Sequence, residues 1–208
     1  MSKENFGHPM KDVKGYLKEY EVKRLIETTH SLRDQLFIRM LWVTGCRISE
    51  LVGDRSWYKQ RVYEPAKVKD IDFKEGVIYL NLLKRKKYPP RKHRVPLDDI
   101  TLRKLKLYIE LNGLGNQDAL FSFTRQRAFQ IIREVGREAG IKKVGDKLIH
   151  NHHLRHSNCV AYIRKNNTLE GLRKLQQRIG HASISTTAHY LQFGPESKKE
   201  TQEVFGNW

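Results

Sequence analysis

The sequence predicts a mainly α-helical domain that carries one small antiparallel three-stranded sheet. Three observations lead there. Apolar residues recur at helical spacing up to about residue 52 and again from about residue 98 onward. Two runs alternate as strands do, Val68–Phe73 and Val77–Leu82, with Glu75-Gly76 as the turn between them. The 208 residues are 38% hydrophobic and 10% aromatic, enough to bury a real core in one domain or one and a half.

Residues 1–16 read as a polar N-terminal arm or linker remnant, without the apolar core of a signal peptide. Val22, Leu25 and Ile26 mark a helix from about Glu19 to His30. A second, Leu32 to about Val43, turns Leu36, Phe37, Met40 and Leu41 to a core and stops at Gly45. Arg47–Val52 restarts a short helix, with Arg47 and Glu50 three apart on one face. The aromatic, basic and aperiodic stretch Asp54–Ala66 reads as a loop. Beyond the two strands lies Lys84–Arg94, dominated by Lys and Arg. Its prolines and charge predict a hairpin loop, followed by Arg94–Leu97 as a short edge strand. Asp98 or Asp99 caps a helix through Leu111, and Arg125–Ala139 forms the next. Asn151 caps His152–Lys165. Leu169–Ile179 and Ser183–Gln192 complete the helical half.

Forty Lys and Arg against 23 Asp and Glu leave a formal charge of +17. A surplus that large points to a polyanionic partner, with nucleic acid first. Cys46 and Cys159 form no CxxC pair, which argues against a disulfide framework or zinc knuckle and fits a reducing cytoplasm. Both read as small buried fillers. No run approaches the roughly 18 apolar residues of a membrane span, so the expectation is a soluble cytoplasmic protein with no membrane partner.

Three dense segments carry chemistry: Thr44–Glu50, His152–His156 and Arg178–Tyr190. His150, His152, His153 and His156 resemble metal ligands, but Arg155 sits among them and no HExxH glutamate accompanies them. A cation beside a metal dication is unfavourable, so no metal site is expected. His150-Asn151-His152 also has a polar centre, unlike a His-hydrophobic-His nuclease motif. Arg47 and Arg155 lie in otherwise apolar helical settings. A guanidinium keeps its proton and presents a fork suited to two phosphate oxygens, and when buried it needs an anion or a paired acid. Arg47 with Glu50 as a structural salt bridge is the plainer account of that arginine alone. Tyr190 stands nine residues after His181, across the small-residue turn Ala182-Ser183. A phenol with a pKa of about 10 is a nucleophile only with a base in reach and cations on the phosphate.

These segments resemble the active-site boxes of the tyrosine recombinase (integrase) family. Thr-Gly-Cys-Arg-Ile-Ser-Glu-Leu (44–51) is similar to its first arginine box, and His-His-Leu-Arg-His-Ser (152–157) to its His-x-x-Arg box. Ile-Gly-His-Ala-Ser-Ile-Ser-Thr-Thr-Ala-His-Tyr (179–190) is similar to the box that ends in the nucleophile. Their order and separation match too, as does the basic hairpin between the first two, over residues 17–192.

The resemblance implies the tyrosine recombinase catalytic-domain fold and a division of roles. Arg47 and Arg155 clamp the scissile phosphate of double-stranded DNA. Tyr190 attacks it, leaving a 3′-phosphotyrosyl bond and a free 5′-hydroxyl. His152 is the general acid/base toward the tyrosine, and His181 hydrogen-bonds a non-bridging oxygen. A hairpin lysine, Lys84 with Lys86 as rival, protonates the leaving oxygen, and Glu50 supports its box. No metal, ATP or other cofactor is required, because cations do that work. Arg85, Lys87, Arg91, Lys92 and Arg94 of the hairpin, with Arg125 and Arg127, are the expected DNA contacts.

Three departures stand out. His153 holds a position usually acidic in the family, the Asp54–Ala66 loop is longer than expected, and no room remains for the helical DNA-clamping domain that normally comes first. The chain is therefore expected to be a catalytic fragment or a single-domain variant. Residues 17–193 would be the catalytic domain. The tail 194–208 ends in Val204, Phe205 and Trp208 and would dock on a neighbouring protomer in a dimer or tetramer. Two alternatives share part of this reading: a type IB topoisomerase-like enzyme, and a DNA-binding protein without catalysis.

Overall fold

The computed structural model describes residues 15–54, 62–83, 92–181, 184–188 and 190. Eight helices and two small sheets are seen among them. Helix α1 (Glu19–Thr28) leads into α2 (Leu32–Thr44). Ser31 caps α2 by accepting from the Asp34 N–H at 3.1 Å. Leu36, Phe37, Ile38, Met40 and Leu41 are all buried, so α2 is apolar around most of its girth and becomes the central rod of the core. It packs on α1, on α4 (Asp99–Leu111) and on α6 (Asn151–Lys165). Phe37 meets Phe121 and Phe123 edge-on, with centroids 5.6 and 4.9 Å away. Gly45 ends α2 in the left-handed region at φ 61°, and α3 (Ile48–Val52) follows at once.

The three-stranded sheet has the order β1-β2-β3 and is antiparallel throughout. It comprises β1 (Ile71–Asp72), β2 (Val77–Asn81) and β3 (Lys92–Pro96). Ile78 pairs with Ile71 and Val95, placing three apolar residues on the core face. The first strand is shorter than its alternation predicts. Val68–Asp70 form a 3-10 turn instead, because the Asp70 carboxylate accepts from the Lys67 N–H at 2.9 Å and curls the chain. The third strand is the edge strand, as expected, and begins two residues earlier, at Lys92. His93 on it bridges the sheet to the second half: its ring nitrogens lie 3.0 Å from the Leu80 carbonyl and 3.2 Å from the Arg178 carbonyl.

The second half is helical: α4, α5 (Arg125–Glu138), α6, α7 (Leu169–Ile179) and α8 (Ile184–Ala188). Asp98 caps α4, accepting from the Thr101 N–H at 3.1 Å. The cap of α6 is His150, not Asn151: its Nδ1 accepts from the His152 N–H at 3.2 Å, while His153 Nδ1 accepts from the His150 N–H at 3.2 Å. That reciprocal pair is a capping box with imidazoles as both acceptors. Sequence reading missed a hairpin, β4 (Lys143–Val144) with β5 (Lys147–Leu148), turned by Gly145-Asp146. Two-residue strands are too short to show a period. The Ser183–Gln192 expectation is met by Ile184–Ala188, the rest falling partly outside the described residues. Most of the Asp54–Ala66 loop lies outside them too, although Asp54 and Tyr63 pair across its base. The 194–208 tail is likewise not described.

Most buried apolar residues form one core; Cys159, Val160, Ile163, Leu172, Leu175, Ile179 and Tyr190 form a second, smaller cluster beside it. Both cysteines are buried, as expected. Gly45 sits where α2 meets α6, and a Cβ there would stand 2.7 Å from Asn158 Oδ1. Gly45→Ala therefore combines a left-handed backbone with a polar clash. It is expected to cost about 1–3 kcal/mol, read as a lower midpoint in urea unfolding.

Candidate active site

The segment after α2 turns sharply at Gly45 and leaves Arg47 as the residue before α3. Glu50, in the first turn of α3, has no side-chain exposure. It accepts from the Arg47 N–H and from Arg47 Nη1, each at 2.8 Å. The plainer account of this pair is thus present, but the Arg47 side chain keeps 16% exposure and reaches a cavity. Arg155, on α6, is 6% exposed. Its Nη1 donates to the Gly45 carbonyl at 2.6 Å and its Nη2 to the Ile179 carbonyl at 2.8 Å. Burial, and then the Arg47 cation, draw its pKa below the usual guanidinium value. It remains charged at neutral pH.

Arg47, His152, Arg155, His181 and Tyr190 line a single cavity of about 490 Å³. Five of the six expected catalytic residues are therefore brought together from α3, α6 and the α7–α8 region. The sixth, Lys84 or Lys86, lies outside the described residues, as do Arg85, Lys87 and Arg91. His150, His153, His156 and Lys147 also line the cavity, the last from β5. His152 is exposed, whereas His153 is buried and its pKa is pushed down to about 4 by burial and by the neighbouring His150, His156 and His152 rings. His153 thus fills its usually acidic position as a neutral acceptor for the helix cap. His181 follows Gly180, which ends α7 at φ 66°; its Nδ1 lies 3.0 Å from Thr187 Oγ1. Among the described residues, no group of three or more His, Cys, Asp or Glu is arranged to hold a metal.

Tyr190 is 8% exposed and belongs to the smaller apolar cluster. Burial, and then the Cys159 thiol, raise its phenol above the usual pKa. The ring nitrogen seen at its hydroxyl is that of His156, whose Nδ1 lies 3.0 Å from Oη. Sequence reading grouped His156 with the possible metal ligands and gave it no role. Its signal was its place one helical turn after His152.

The expected DNA contacts scatter more. Lys92 pairs with Asp70, Arg94 with Glu75 at 3.9 Å, Arg125 with Asp54 at 3.3 Å and Arg127 with Glu134 at 2.9 Å. Arg125 borders a larger cavity of about 760 Å³ that none of the five gathered catalytic candidates lines.

The pattern of the phage integrase family matches residues 15–196. The chain belongs to that family. The tyrosine recombinase XerA of Pyrococcus furiosus is 29% identical over 198 residues, spanning 90% of this chain and 60% of that protein. The crystal structure of XerA recombinase matches at a TM-score of 0.66 and 27% identity, over 92% of this chain and 62% of that one. XerH site-specific recombinase bound to difH substrate, in a pre-cleavage complex, shares the fold at a TM-score of 0.65 and 20% identity, over 91% of this chain and 53% of that one. The chain thus spans about 60% of the length of XerA. No helix among the described residues is long and apolar enough to cross a membrane.

His153 couples the cap of α6 to pH. Between about 6.5 and about 4 the unfolded chain binds a proton that the folded chain refuses. The stability this group contributes is complete above the upper value and is lost as pH falls toward the lower one. Gln at this position keeps the acceptor of the capping box without titrating. Urea unfolding followed by circular dichroism should therefore show a shallower loss of stability over that window in His153→Gln than in the wild type.

Proposed function

We propose that the protein acts as a site-specific DNA recombinase, cleaving and rejoining double-stranded DNA through a 3′-phosphotyrosyl intermediate. One observation carries this reading: two arginines, His152, His181 and Tyr190, distant in sequence, line one cavity. A phosphodiester carries one negative charge, and the trigonal-bipyramidal transition state concentrates more on its non-bridging oxygens. Arg47 and Arg155 supply cations there, and His181 adds a hydrogen-bond donor. Tyr190 Oη forms the bond to phosphorus as the bond to O5′ breaks, and the hairpin lysine, Lys84 or Lys86, gives the leaving oxygen its proton. The resemblance makes His152 the general acid/base toward Tyr190; it lines the same cavity but is exposed, and the ring nitrogen seen at the phenol is that of His156. The guanidinium cations take the charge-stabilising role that a metal plays elsewhere, so the reaction needs neither metal nor ATP. The phosphotyrosyl bond conserves the energy of the bond that was cut.

The charge of +17 supports a duplex partner bound largely through phosphates. The DNA-bound state of XerH supports the same partner through the shared fold. Residues 17–193 form the catalytic domain on this reading, and the cytoplasm is its compartment. The topoisomerase-like and catalytically silent alternatives differ in outcome, the first relaxing supercoiled plasmid without site preference and the second binding DNA but forming no covalent bond to it.

Trapping on nicked suicide duplexes tests the nucleophile. Wild type should form an SDS-resistant protein–DNA adduct and Tyr190→Phe none; an adduct in the variant would sink the assignment. Self-association on DNA is assigned to the tail. Deleting residues 196–208 should reduce synapsis, seen as slow complexes in native gels, more than it reduces single-site adduct formation.

A further inference from the structure

The assignment of Tyr190 as nucleophile leaves open where its proton goes. A phenol buried to 8% exposure does not ionise unaided, so an acceptor must stand at its oxygen before the phosphorus bond forms. Cys159 touches the hydroxyl, but burial holds its pKa up to about 11. It is a protonated thiol and takes no proton. His156 also stands at the hydroxyl. Its Nδ1 lies 3.0 Å from Oη, with ring centroids 5.1 Å apart and planes inclined at 58°. Its place on α6 fixes it, since the next residue toward the N-terminus, Arg155, is tied to two backbone carbonyls. Burial lowers the pKa of His156 and keeps the ring neutral at pH 7.

We infer that His156 is a further catalytic residue, the general base that takes the phenol proton of Tyr190 at Nδ1. This rests on the nucleophile assignment above and sharpens it. In the forward step the Tyr190 Oη–phosphorus bond forms, the phosphorus–O5′ bond breaks, and the phenol proton passes to His156 Nδ1. O5′ leaves with a proton from the hairpin lysine. In the return step the 5′-hydroxyl attacks phosphorus, its proton goes back to the lysine, and Nδ1 returns its proton to Oη. No proton is left over, and the histidine ends neutral. His152, to which the resemblance gives this role, is exposed on the same helix one turn earlier.

The chemistry requires a specific tautomer, with Nδ1 bare and the proton on Nε2. Nitrogen-15 NMR of the histidine-labelled chain, without DNA, distinguishes bare from protonated ring nitrogens. A bare Nδ1 on His156 whose resonance moves in Tyr190→Phe is expected; a protonated Nδ1 overturns the inference. The kinetic arm uses single-turnover adduct formation on a pool of short nicked duplexes of randomised sequence, and on the same pool with sulfur replacing the bridging O5′. Asn places an amide near the Nδ1 position, able to hydrogen-bond but not to accept a proton. His156→Asn should lose about 10²–10⁴-fold in adduct rate. The loss should persist on the sulfur-bridged pool, whose leaving group needs no proton. A rate within a few-fold of wild type, or full recovery on the sulfur-bridged pool, overturns the inference. The two readings fail separately. An adduct in Tyr190→Phe removes the nucleophile, whereas a dead Tyr190→Phe beside an active His156→Asn removes only the base. Because the NMR arm reads the wild-type chain, a variant that fails to fold does not shelter the inference.

Discussion

The Arg155 guanidinium holds the site together. It is buried, and its Nη1 and Nη2 donate to the carbonyls of Gly45 and Ile179. One carbonyl closes α2 and the other ends α7. The C-terminal ends of helices carry unsatisfied carbonyls and partial negative charge, so one cation satisfies two such ends at once. Three segments more than 100 residues apart at the extremes are thereby fixed in register: the turn before Arg47, the face of α6, and the end of α7 that delivers His181. Removing the guanidinium would strand two buried carbonyls, at about 1–3 kcal/mol each. The conformation of Gly45 belongs to the same constraint. Its carbonyl meets Arg155 only because the residue turns left-handed, and Asn158 closes over it without room for a Cβ.

Stability alone does not account for this arrangement. Arg47 and Arg155 are close enough for one to depress the pKa of the other. Glu50 is the nearby acid, and both its oxygens are committed to Arg47. Buried ion pairs are often no more stabilising than apolar residues of the same size. Two cations with one acid between them are worse placed still. An anion in the cavity would offset the imbalance, and on the proposed function that anion is the phosphodiester. Lys147 on the short β4–β5 hairpin extends the same positive field along the rim.

Much of this was legible in the sequence, and the failures have local causes. The helices from Leu32 to Thr44 and from Leu169 to Ile179 were readable because long amphipathic or fully apolar periods are hard to mistake and both end in glycine. Val68–Asp70 alternates like a strand, but a carboxylate bonding its own backbone overrode the alternation. His150 displaced Asn151 as a cap because an imidazole nitrogen can accept as an amide oxygen does, which propensity rules seldom weigh. The motif residues were found by type and order, yet their convergence depends on the Arg155 bonds, which no spacing reveals. His156 escaped notice for a related reason. It is adjacent in sequence to the arginine that was recognised, while its partner Tyr190 lies 34 residues away.

The placement of Tyr190 gives the smaller apolar cluster a purpose. Cys159, Val160, Ile163, Leu172, Leu175 and Ile179 surround a ring that could have stood in solvent. Burial keeps the phenol protonated and, with the hydroxyl turned to His156, removes it from casual reaction with small electrophiles. The same burial would make the residue useless without a cation to meet the charge it develops. That cation belongs to Arg155, whose α6 backbone also carries His156 and Cys159 along one helix. On the proposed function, proton acceptor, apolar wall and phosphate clamp are thus mounted on a single element. On that reading, a phosphate drawn to the arginines is at once presented to a nucleophile that is otherwise inert. Coupling reactivity to phosphate binding in this way suits an enzyme that must cut a backbone and then restore it.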